Sequence, residues 1–263
     1  LAALDPVYTS VTYGAGGGHR DKSFAAIDTV RTAAPHVPVA AHLTCVGQSR
    51  AEVEATIARY ADLGVHRIVA LRGDPPEGID APYVAHPDGF QSTAELVAAI
   101  HARGDFEIIV SAYPEGHPQS PSVDHDLDVL AAKVAAGATR AMTQMFFDNA
   151  LFLRYRDRVA KRGIEVDLVP GIFPIHSFEA VARFAARCGA SMPAELAAQF
   201  TGGPDDLELA ADLAALQIAE LAAEGVTQAH VYTLNKADLA LAVCARLGLT
   251  ALTTASPLPS GAP

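Results

Sequence analysis

The sequence predicts an α/β fold, a (β/α)8 TIM barrel whose first strand is missing from this chain, and three observations lead there. Strand-like and helical stretches alternate along the chain, which means a parallel sheet with crossover helices. Polar and glycine-rich residues fall just after one strand after another, where barrels assemble active sites from several strands at once. A doubly wound sheet would collect its ligand residues at a single switch point instead. The count reaches seven strands, one short of closure, and the chain opens almost directly on a strand. Counting therefore places a strand–helix unit upstream of Leu1. With no linker or shift of composition, residues 1–263 are expected to form one catalytic domain.

The strands are expected near Val7, Val39, Ile68, Ile108, Ala141, Val166 and Val231. The runs from Val7 to Tyr13 and from Val39 to Leu43 bracket a helical segment around Phe24 to Thr32. After that a helix, a glycine and a β-rich run recur, with Gly64, Gly104, Gly137, Gly163 and Gly225 as the helix stops. Ser49, Asn149 and Ser177 are candidate N-caps. Two segments break the alternation: a loop from Asp80 to Gln91, and a short extra helix within Pro193 to Phe200 ahead of a long one over Asp205 to Ala223.

The stretch from Ile68 to Pro76 concentrates the argument. An apolar run suited to a strand buried on both faces breaks off into Arg72-Gly73-Asp74 and a Pro-Pro stop. Opposite charges over a glycine at a strand end are costly for stability alone, and a glycine there lets a ligand approach the backbone. The plain alternative is an Arg–Asp pair closing a surface turn.

Composition narrows the function. A formal charge of −11 without a basic cluster argues against nucleic acid and anionic membranes. No apolar run is long enough to span a bilayer, and Leu1 to Pro6 does not resemble a signal peptide. Cys45, Cys188 and Cys244 form no short pairing motif, which fits a reducing cytoplasm. His42 and Cys45 share H-x-x-C spacing but have no second pair, so a structural or cofactor contact suits His42 better than a metal. Lys236 follows the last strand, with anion binding favoured over Schiff-base chemistry. Tyr113, His117, Asp126 and Lys133 together offer aromatic, imidazole, carboxylate and ammonium groups to a large polar ligand, though each alone could be rim packing or a solvated helix face.

The motifs Ser10 to Gly17, Ala41 to Cys45, Leu71 to Asp74, Ala112 to Pro118, Thr143 to Asp148, Pro170 to Ile172 and Tyr232 to Asn235 resemble those of methylenetetrahydrofolate reductases, in the same order and spacing. The resemblance implies a barrel flavoprotein that reduces 5,10-methylenetetrahydrofolate to 5-methyltetrahydrofolate with FAD as cofactor and NADH or NADPH as hydride donor. It matches Tyr13, Ala15, His42, Arg72, Gly73, Asp74, Tyr113, His117, Ser120, Asp126 and Lys133 to flavin-binding positions. It matches Thr12, Asp74, Gln144, Phe184 and Lys236 to the substrate side, with Asp74 and Gln144 in the catalytic roles. The expected partner is a small folate, with no nucleic acid and no membrane; self-association into a homo-oligomer is left open.

Several positions depart from the family pattern. The family's acid is a glutamate on the first barrel strand, which this chain lacks. Ala132 stands where many relatives have arginine, Val129 replaces an asparagine, Ala180 a glutamine and Lys236 an arginine, and the loop from Pro82 to Gln91 lacks a familiar Tyr-Ala flavin contact. Two alternatives follow: direct hydride transfer from nicotinamide to folate without flavin, and a folate- or flavin-binding protein without turnover.

Overall fold

The computed structural model describes residues 1–13, 20–75, 78, 81–104, 106–203 and 206–249. Seven parallel strands form one sheet in sequence order: β1 (Thr9–Val11), β2 (Val39–Thr44), β3 (Arg67–Leu71), β4 (Glu107–Ala112), β5 (Arg140–Met145), β6 (Asp167–Ile172) and β7 (His230–Val231). Between them run α1 (Arg20–Ala33), α2 (Arg50–Asp62), α3 (Thr93–His101), α4 (Val123–Ala135) and α5 (Asn149–Lys161). The last two strands are joined through α6 (Phe178–Arg187), α7 (Ala194–Ala197) and α8 (Asp206–Ala223), and α9 (Ala237–Arg246) follows β7.

Alternation along each strand gives the sheet two different faces. Outward, Ala41, Leu43, Ile68, Ala70, Ile108, Val110 and Ala141 join the main core with helix residues such as Val53, Ile57, Leu96 and Leu130. Inward, Ala40, Val69, Ile109 and Met142 pack on one another as a separate cluster with Tyr8 and Leu71. The two ends of the strand order also approach one another, so the sheet is strongly curled. Tyr8, just before β1, stacks on His230 of β7 with ring centroids 6.0 Å apart. Near the N-terminal strand ends the inner row is charged. Arg67 bonds Glu107 at 2.7 Å, Glu107 also meets Arg140 at 3.2 Å, and Arg140 reaches Asp167 at 3.6 Å.

All seven expected strands are present, and Gly64, Gly104, Gly137, Gly163 and Gly225 each carry the positive φ of a helix stop. Ser49 closes a capping box with Glu52. Three details differ from the sequence reading. The cap of α5 is Asp148, which accepts the N–H of Ala150; Asn149 instead donates to Gln217 O and to Glu220 on α8. Ser177 occupies the cap position of α6 without a side-chain hydrogen bond. Pro170 and Gly171 lie inside β6 rather than beyond it, as Thr143 and Gln144 lie inside β5, because the pairing of these strands slips by one residue.

Candidate active site

Strand β3 ends on two apolar contacts that shape the next three residues. A Cβ at Gly73 would lie 2.5 Å from Val46 Cγ1 and 2.9 Å from Thr44 Cβ, and φ there is +86°. The glycine therefore admits the neighbouring β2 loop under the chain, where the sequence reading had it admit a ligand. Arg72 donates through a terminal nitrogen to Gln119 Oε1 at 2.7 Å, and its guanidinium sits 4.6 Å from the Tyr83 ring centroid. Gln119 also donates to Ala81 O at 2.8 Å, tying together the loops after β3 and β4. Asp74 is exposed. Its charge acts on Tyr113, His117 and Cys188, which sets it among the ends of β3, β4 and the α6 turn.

After β4, Tyr113 and His117 meet edge to face at 4.8 Å. The N–H of His117 donates to Asp126 Oδ2 at 2.8 Å, so the first turn of α4 fixes the loop. His117 Nδ1 accepts the N–H of Gln119 at 3.1 Å, which leaves the ring proton on Nε2 as a donor. Burial first, then the charge of Arg72, lowers the His117 pKa and keeps the ring neutral. Ser120 Oγ donates to Ser122 O at 3.1 Å. Lys133 starts on the last turn of α4, and helical side chains lean back toward the helix start. Its Nζ reaches Ser111 O at 3.0 Å and Ser111 Oγ at 3.4 Å. Burial is the main cause that pulls its pKa down to about 8, against the opposing charge of Asp126.

On the β1–β2 side, His42 faces the inside of the sheet, two residues from Ala40. Its Nε2 is buried without a hydrogen-bond partner, and burial, with the nearby His230, lowers its pKa to about 4. Cys45 points the other way, into the main core, with Sγ 3.6 Å from Arg72 O. Tyr13 also turns into that core, its hydroxyl donating to Gln48 at 3.2 Å. What Tyr13 can offer a ligand is its backbone. Thr12 is exposed, and its carbonyl accepts from Ser23 Oγ at 3.0 Å. Ala15 lies outside the described residues.

On the β5–β7 side, Gln144 lines a recess with Tyr113, Glu115, Met145 and Cys188. Phe184 is 42% exposed, which no core residue of α6 would be, and tilts against Phe173 at 5.7 Å. Lys236 opens α9 after a turn in which Leu234 and Asn235 take positive φ of 47° and 61°. Such strain in a leucine is uncommon away from functional sites. The charge of Lys236 acts on His176, whose pKa is lowered mainly by burial. Sequence reasoning missed Tyr83, Ser111, Gln119, Phe173 and His176. Only Tyr83 carried a signal, as the aromatic in the loop after β3.

Thus Arg72, Asp74, Tyr113, His117, Asp126 and Lys133 gather on one side of the C-terminal face, and Phe184 and Lys236 flank the other. The model of the family "Methylenetetrahydrofolate reductase" matches residues 1–248. The chain belongs to that family. It is 40% identical over 254 residues to the 5,10-methylenetetrahydrofolate reductase of Pectobacterium carotovorum, covering 95% of this chain and 82% of that one. The enzyme of Escherichia coli is 39% identical over 253 residues, with 95% and 83% covered. The methylenetetrahydrofolate reductase (NADH) 1 of Arabidopsis thaliana is 32% identical, but the match covers 44% of its length. A solved structure of a Clostridium thermocellum protein that binds two copies of 5-methyl-5,6,7,8-tetrahydrofolic acid shares the fold at TM-score 0.55 and 12% identity, with 91% of this chain and 94% of that one covered. A methylenetetrahydrofolate reductase of this kind is an oxidoreductase, and its substrate is a folate.

Proposed function

We propose that this reductase is one catalytic barrel that converts 5,10-methylenetetrahydrofolate to 5-methyltetrahydrofolate, with FAD as cofactor and NADH or NADPH as hydride donor. The observation that carries the cofactor is a convergence of polar groups at the strand ends, one of them without a partner. His42 Nε2 is orphaned inside the sheet, Lys133 is a nearly buried cation, and His117 presents a neutral N–H. A diphosphate-bearing, hydrogen-bonding ring system suits these groups. Arg72 and Lys133 would hold its anionic part, His117 and His42 its polar edges, and Asp126 would keep the His117 loop in place. Held there, FAD would supply the hydride chemistry that links the nicotinamide to the one-carbon unit of the folate.

The chain's own residues do the rest. The Asp74 carboxylate, exposed on the face, stabilises cationic character as the methylene bridge of the folate opens. Gln144 hydrogen-bonds the pterin edge, Phe184 offers it a flat apolar surface, and Lys236 meets the anionic tail as a single point charge without the bidentate pairing of arginine. Opening the bridge also needs a proton at a ring nitrogen, and a neutral carboxylic acid at a strand end is a suitable donor. In the family pattern that donor is a glutamate on the first barrel strand, and among the described residues the outer edges of β1 and β7 are unpaired. Glu115 is the substitute within this chain, although both its oxygens accept the N–H of Ser191 at 3.1 Å.

Visible absorbance tests the proposal directly. The purified protein should bind FAD, weakly, since the exposed Val129 and Ala132 add no polar contact on α4. A protein that stays colourless with added FAD yet reduces methylenetetrahydrofolate would establish direct transfer instead. Full folate turnover by the verified 263-residue chain would move the acid to Glu115 or another residue present here.

A further inference from the structure

We infer that Tyr232, Thr143 and Gly171 form a clamp that sets the direction of the Gln144 amide, which makes Tyr232 a positioning residue for the folate. The inference rests on the reading that Gln144 contacts the folate.

The clamp begins in a fault of the sheet. Met142 of β5 pairs with Val169 of β6, yet Met145 pairs with Gly171, so β5 spends three residues where β6 spends two. Opposite the extra residue stands Pro170, which has no N–H to give a ladder. Side chains take over the backbone groups at this point. The N–H of Gly171 donates to Thr143 Oγ1 at 2.8 Å, and the Tyr232 hydroxyl donates to Thr143 O at 3.0 Å. Tyr232 is itself held to β6, its own N–H donating to Ile172 O at 2.8 Å. Three strands are therefore tied at one buried threonine.

The packing leaves little play. A Cβ at Gly171 would stand 2.3 Å from Thr143 O and 2.8 Å from Tyr232 Cε2, so a glycine is what lets the ring lie across β6. Thr143 is wholly buried. Burial holds the Tyr232 phenol well above its ordinary pKa, so it remains a donor across the working range.

Gln144 is the next residue, and the Tyr232 hydroxyl holds the peptide group that joins it to Thr143. Its Oε1 accepts the N–H of Met145 at 2.9 Å, which turns the carbonyl back on its own strand. The amide NH2 is then the end presented toward the recess shared with Tyr113 and Cys188. Alternation sets Gln144 on the same inner face as Met142, and the slip that follows at Met145 leaves the backbone around it held by side chains rather than by a regular ladder. The amide thus meets the folate as a donor, aimed from beneath by a hydroxyl just past the end of β7.

The test is a double-mutant cycle on the flavin-loaded protein, titrated calorimetrically with 5-methyltetrahydrofolate. Tyr232→Phe keeps the ring and removes only the hydroxyl, so thermal unfolding measured alongside establishes that the fold persists. The single change should weaken binding by about tenfold, the scale of one lost hydrogen bond. In the Gln144→Ala background the same change should have no further effect, because the group being aimed is gone. Equal weakening by Tyr232→Phe in both backgrounds would show a role independent of Gln144 and overturn the clamp. Binding untouched by Tyr232→Phe while Gln144→Ala weakens it overturns the clamp alone. Binding untouched by Gln144→Ala removes Gln144 from the folate site and takes the clamp with it.

Discussion

On the outer face of the sheet Ile68, Ile108, Val110 and Ala141 are wholly buried against helices and one another. On the inner face and at its C-terminal mouth stand His42, His230, Gln144 and Asp74, with the Lys133 ammonium beside them. The first region gains stability from apolar area, at roughly 25 cal/mol per Å² removed from water. The second holds polar groups that a folded chain would do better without. The partnerless His42 Nε2 and the buried Lys133 ammonium cost stability through their burial, and that contrast separates scaffold from site more sharply than position in the chain does.

The largest break in the contrast should come with acid. His42 and His230 each drop from 6.5 to about 4, both chiefly through burial. The unfolded chain therefore binds more protons than the folded one between those values. Stability should fall as pH drops below about 6.5 and level off below about 4, reduced by then by up to about 3 kcal/mol per ring before solvent screening. Urea unfolding at intervals from pH 7 to 4 on the protein and on His230→Phe checks this. The variant should lose part of the slope, and parallel curves would show that the ring protonates freely in the fold.

Lys133→Met comes next. Removing a nearly buried cation while keeping an apolar chain should raise unfolding stability by about 1–3 kcal/mol in the ligand-free protein. FAD titration should show lost affinity in the same variant. A drop in stability would mean that the bonds to Ser111 outweigh the burial of the charge.

The smallest effect, and the most selective, is expected of Asp74→Asn. An exposed side chain changes unfolding by no more than about 0.5 kcal/mol. Folate reduction should nevertheless slow by about tenfold or more, about 1.4 kcal/mol in the barrier. Nicotinamide oxidation, followed separately by stopped flow, should keep its rate; equal slowing of both would remove Asp74 from the folate step.

Much of the fold was legible because its signals are local. The apolar run from Ile68 to Ala70 is buried on both faces as read, and the five helix-ending glycines all carry positive φ. The site was legible where residues cluster in sequence, as with Tyr113, His117, Asp126 and Lys133. What failed was long-range. Nothing near Gln119 shows that it will hold the guanidinium of Arg72, 47 residues away. No propensity distinguishes Tyr13 turned into the core from Tyr13 at the mouth. The slip between β5 and β6 was hidden too, since Pro170-Gly171 reads locally as a strand end.

The charged row beneath the lumen bears on how the chain finds this arrangement. Arg67, Glu107, Arg140 and Asp167 alternate in sign across four neighbouring strands, and Arg67 pairs in register with Glu107 as Arg140 does with Asp167. Exchange of β4 with β5 would set Arg67 beside Arg140 and Glu107 beside Asp167. A one-residue slip would turn a charge outward into the helix layer, where it would be buried among aliphatic side chains. Parallel strands of similar apolar sequence are easily confused with one another during collapse, and this row labels each one by sign. Its contribution lies less in holding the finished sheet than in making the wrong orders of assembly unfavourable.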